Sequence, residues 1–188
     1  SEKLGYTSFC IKGSGIEEVK TNSYKSIIGN IEGAINDIEY SGYKYTGIGV
    51  NAFSDIDGIG GEVIVNDENL KLNLSGRVDT KTNVKNCDLS LVINEFRPHS
   101  LNLTSDYIGD NFSLNATANI SGSSISNIEG ELNLDSMIVS NGDIITSPEY
   151  LQIQLENNGL KSKNINIDGN IICAKIKGDI DYKTLGSS

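Results

Sequence analysis

The chain has 188 residues, enough for one domain of ordinary size. Its formal charge of −10 repels phosphate backbones and anionic headgroups, which argues against a nucleic-acid binder. A hydrophobic fraction of 37%, with 6% aromatics and no Trp, is lean, so composition does not demand a thick closed core.

Near the start, Ile16-Glu17-Glu18-Val19-Lys20 is compatible with a helical turn or with a strand, before Gly29 and Gly33 restore extended chain. From there period-two alternation dominates, the pattern of strands with one apolar side. Leu70-Lys71-Leu72-Asn73-Leu74 is the clearest short case, followed by Leu89 to Ile93, Leu101-Asn102-Leu103 and the long run Phe112 to Ile120. Glu129 to Leu134, Leu151 to Leu155 and Ile165-Asn166-Ile167 continue it. Ser41-Gly42, Asp57-Gly58, Asp67-Glu68-Asn69, Asn141-Gly142-Asp143 and Asp168-Gly169-Asn170 punctuate the runs with residues that tolerate positive φ. Pro98 and Pro148 fall between runs, where a missing amide costs no ladder bond.

This spacing predicts about a dozen strands of roughly 6–11 residues. Their alternate positions are mostly Asn, Ser, Thr, Lys and Asp, so one face is apolar and the other faces water. The expected fold is all-β: a single elongated sheet, curved or folded over, whose concave face is apolar. Residues 1–185 read as one unit cut from a larger protein, and Gly186-Ser187-Ser188 as a tail foreign to it. Cutting a longer sheet would leave edges, expected at Ile31–Tyr45 and Ile171–Tyr182.

Catalytic and metal-binding patterns are missing. The single histidine, His99, has no neighbouring group to orient it as a base. Gly13-Ser14-Gly15 and Gly47-Ile48-Gly49 do not extend to a phosphate-binding loop. Asp55-Ile56-Asp57-Gly58 begins like a calcium loop but lacks the later ligands, so it reads as solvated carboxylates. Cys10, Cys87 and Cys173 are odd in number and widely spaced, and they read as small structural residues. The longest apolar run, Ile171 to Ala174, is far short of a membrane span. No cofactor, metal or enzymatic activity is expected.

Four stretches share an order: Gly33 to Tyr45; Gly61 to Asp79; Phe96-Arg97-Pro98-His99-Ser100-Leu101-Asn102-Leu103 followed by Ile120 to Gly130; and Ala174 to Leu185. In that order the chain resembles the C-terminal region of TamB proteins of the Bacteroidetes type, a branch of the AsmA-like family. The resemblance implies a β-trough ("β-taco") in the periplasm, within a protein anchored at the inner membrane. It implies phospholipid acyl chains as cargo and an outer-membrane barrel protein of the assembly module as partner. No catalytic residue carries over. What carries over is a face, for which Leu72, Leu74, Leu91, Leu103, Leu114, Leu132, Leu134, Ile153 and Ile167 are the expected groove lining. The same alternation also fits a structural or adhesive β-solenoid or β-sandwich module, where this face is a dry packed core.

Overall fold

A computed structural model describes residues 4–20, 25–106, 109–158 and 162–179. Its strands in chain order are β1 (Leu4–Lys20), β2 (Lys25–Tyr40), β3 (Tyr43–Ser54), β4 (Gly58–Asn66), β5 (Leu70–Asp79) and β6 (Lys85–Phe96). There follow β7 (Asp110–Gly122), β8 (Glu129–Asn141), β9 (Ile144–Thr146), β10 (Tyr150–Asn157), β11 (Lys163–Gly169) and β12 (Ala174–Gly178). All twelve form one antiparallel sheet that is not closed into a barrel, as the alternation led one to expect. Apart from β9 and β10, each strand pairs with its neighbour in sequence, and β10 pairs with β8. Short β9 extends the β8–β10 hairpin and pairs only with β8.

Local chemistry explains the connections. Ser41 (φ 51°) and Gly42 (φ 75°) both sit in the left-handed region between the paired Tyr40 and Tyr43, the two-residue turn whose twist matches that of its strands. Ile16–Lys20 is extended, and the open choice there resolves to strand. The hairpin Ile31–Tyr45 is not an edge, because β1 covers it. The outer strands are β1 and β12. The expected edge at Ile171–Tyr182 falls partly on β12, and its residues beyond 179 lie outside the described residues.

Several strands exceed the expected length: β1 and β2 have 17 and 16 residues. The reason is a line of β-bulges. Cross-strand partners form a row through Ile35, Ile48, Val65, Leu72, Ile93 and Leu114. Just beyond this row β2 carries an extra residue against β1, β6 against both its neighbours, and β8 against β7. Ser136 in the β8 bulge has φ 52°, and Gly47 at the same level of β3 has φ 65°. A bulge bends its strand and reverses which residues face each side. The strands therefore run on through places where alternation breaks, and the sheet creases along one line.

The sheet has almost no second layer. Among the described residues the buried apolar side chains are Val65, Pro98, Leu101 and Ala118. The accessible surface is 12313 Å². Size scaling gives a compact protein of this mass about 8,800 Å². Among the described residues both faces of the sheet are mostly half-buried or exposed.

Candidate functional site

The apolar face is built from adjacent cross-strand rows. The first is the row beside the crease, which holds Leu72 and Leu114. The next runs through Val50, Val63, Leu74, Leu91, Ala116, Leu134 and Leu151. A third runs through Ala52, Gly61, Gly76, Leu89, Ala118, Leu132, Ile153 and Ile167. A fourth contains Ile59, Val78, Cys87, Ile120, Leu155 and Ile165. No charged residue stands among these positions. Eight of the nine expected lining residues thus share one face, brought together by register across β5 to β11.

Over the central strands this face is hollowed into a cavity of about 600 Å³, walled by Ile31, Val50, Ile59, Val63, Leu74 and Val78. Its floor is low because Ala52, Gly61 and Gly76 are small. A Cβ on Gly61 would come within 2.5 Å of the Asn51 carbonyl oxygen, and one on Gly76 within 2.5 Å of the Leu89 side chain. These two glycines were not singled out as lining from sequence. Their signal was available: each takes an inward place in an alternating strand.

The ninth residue, Leu103, lies elsewhere. Leu101-Asn102-Leu103 is not a strand but one closed turn. The Leu103 amide donates to the Pro98 carbonyl (3.0 Å), the Asn102 amide to His99 (3.0 Å) and the Leu101 amide to Arg97 (3.1 Å). Asn102 takes φ 57°, the left-handed residue that ends such a turn. Leu103 is 46% exposed, whereas Leu101 is fully buried. The Leu101 carbonyl accepts from the Tyr45 hydroxyl at 3.3 Å, so this connection reaches from β6 back across the ends of β5 and β4 to β3. Tyr45 pairs with Ile38, which lies beyond the β2 bulge, and Gly47 in the left-handed region interrupts β3 between Tyr45 and Ile48. Tyr43 packs edge-on against Tyr45 at 4.8 Å, and Phe96 and Phe112 lie 6.1 Å apart on the same side of the crease.

Buried Asp67 anchors this corner. Its Oδ1 accepts from the Tyr43 hydroxyl (2.5 Å) and the Asn69 amide (2.9 Å), and its Oδ2 from the Thr46 amide (2.9 Å) and hydroxyl (3.1 Å). Burial pushes its pKa up, but these bonds together outweigh burial and hold the carboxyl below its ordinary value. Burial first, then the bond to Asp67, raises the Tyr43 hydroxyl.

The opposite ends of the strands are different. There the connections 55–57, 80–84 and 123–128 contain no buried residue among those described. Asp55 receives both Arg77 guanidinium nitrogens, at 2.8 and 3.0 Å, and that pairing holds its carboxyl well below the usual range. Lys81 pairs with Asp57. The reverse face of the sheet is polar, tied by Lys71 to Glu95 (2.7 Å), Asn73 to Glu62 (2.8 Å) and Gln152 to Asn133 (2.9 Å). It carries a larger depression of about 740 Å³, but in its lining Arg77 is already engaged with Asp55 and Glu62 with Asn73. Cavities on both faces of one sheet are what saddle-like twist produces.

Among the described residues no group of His, Cys, Asp or Glu is placed to hold a metal, and no helix is long and apolar enough to cross a membrane. The chain matches no protein-family model, no curated protein and no solved structure.

Proposed function

We propose that this chain is a non-catalytic segment of a TamB-like trough in the periplasm, sheltering phospholipid acyl chains on their way between the inner and outer membranes. The observation that carries the proposal is the uncharged apolar face that continues from β2 to β12 with nothing laid over most of it. Continuity is what such cargo requires. Lifting an acyl chain into water costs about 0.8 kcal/mol for each exposed methylene, so a gap of even a few methylenes is a barrier. A chain about 20 Å long covers about four strands at about 4.8 Å spacing, and the sheet path of eleven strands extends about 50 Å.

A structural module with a dry core would need a second layer on this face, and the described residues supply one only at the Leu101 corner. The rest of the proposed setting, an inner-membrane anchor and an outer-membrane barrel partner, follows from the resemblance of the four ordered stretches.

Photo-crosslinking tests the reading. A crosslinker in place of Leu132 or Ile153 should capture phospholipid in cells, while one in place of Asn133 or Gln152, which point the other way, should not. Equal capture from both faces, or none from either, would sink it.

A further inference from the structure

We infer that the 97–106 connection seals one rim of the trough, so that a lipid lying on the floor keeps its phosphate headgroup at the opposite rim. This rests on the acyl-chain reading above.

Loops normally run over the surface with their side chains exposed. This one buries Leu101 completely and reaches β3 through Tyr45. It thereby lies across the ends of β4 and β5, where a chain on the floor would otherwise turn out toward water. Most polar groups beneath it are engaged: Tyr43 is spent on Asp67, Tyr45 on Leu101, and Arg97 pairs with Glu95 at 2.8 Å, while the Nδ1 of His99 is buried without a partner among the described residues. Asp67 is a buried carboxylate, which repels a phosphate.

The other rim has the complementary character. Its connections are exposed, and Ile56 and Val84 stand about half out in solvent. Lys85, at the end of β6 on this side, donates to the Thr80 carbonyl at 2.7 Å and makes no ion pair among the described residues. It is a cation with charge to offer a phosphate, next to the open end of the apolar rows. One rim is therefore closed over a buried carboxylate, and the other is open, with Lys85 at its lip beside the ion-paired Asp55 and Asp57.

The test uses vesicles of zwitterionic diacyl phosphatidylethanolamine carrying a photoactivatable group either on the headgroup or at the acyl terminus. The headgroup probe should label Ile59 and Val84 several-fold more than Leu70 and Phe112, and the acyl probe should label the floor around Leu74 and Leu91. Leu101→Gly should raise headgroup labelling at Leu70 several-fold with strand content unchanged by circular dichroism; should that variant lose its strands, the labelling pattern of the unaltered chain decides alone. Headgroup labelling equal at both rims, with the acyl probe still on the floor, overturns the seal and leaves the acyl reading standing. Absence of labelling by either probe overturns both.

Discussion

The Leu101 corner and the open floor are made of the same residue types but are held by different physics. At the corner, Leu101 is fully buried against half-buried Tyr45, and a buried carboxylate has its bonds satisfied. On the floor, Leu74 keeps 40% of its surface in solvent and Leu89 41%. The corner behaves as a small hydrophobic core, in which truncation opens a cavity. The floor contributes little through burial and has apolar surface to spare. A protein that needed only stability would have covered both, so the difference separates residues kept for folding from residues kept for contact.

The sharpest way to break this comparison is a pair of truncations. Leu101→Ala should lower unfolding free energy by about 2–5 kcal/mol in chemical denaturation. Leu74→Ala should cost under about 1 kcal/mol, since little of its contact is lost and no cavity closes around it. Similar losses for the two would erase the distinction. Next in size, Tyr43→Phe removes a hydrogen bond to a charged acceptor and should cost about 1.5–3 kcal/mol.

Acid sharpens the same contrast. Because the Asp67 carboxyl sits below its ordinary value when folded, the unfolded chain takes up its proton first as pH falls. The stabilisation is complete above about pH 4, the ordinary carboxylate range, and is lost as pH drops through the lower folded value. The melting-temperature gap between the unaltered chain and Asp67→Asn should therefore be constant near neutrality and shrink below that range. A gap that stays constant into strong acid would mean the network is not what stabilises the corner. The smallest effect belongs to the polar face, where Lys71→Ala should change stability by about 0–1 kcal/mol, as for other exposed ion pairs.

Much of this architecture was legible in the sequence. Alternation located most strands, and the Asn, Asp and Gly clusters marked the turns, because both signals are local. The face shared by Leu72, Leu91, Leu132 and Ile167 was also readable, since register follows from alternation joined by tight hairpins. What could not be read was set by non-local geometry. The bulges of β2 and β8 break parity, so alternation alone assigns Ile38 and Val139 to the wrong side and ends strands early. Leu101-Asn102-Leu103 alternates like a strand, yet Pro98 opens a turn and Asn102 tolerates the left-handed conformation that closes it. Whether the pattern or the turn wins there depends on Tyr45, which lies 56 residues away in sequence. The floor glycines were passed over because they are defined by what they leave empty.

The account stands most directly on what the floor holds. Native mass spectrometry of the purified chain, followed by extraction and identification of bound lipid, should find phospholipid on the unaltered protein. Leu132→Asp, which sets an unpaired charge in the third row, should retain strand content and the thermal transition but carry no lipid. Lipid-free protein from a native membrane source, or lipid bound equally by Leu132→Asp with its fold intact, would contradict it.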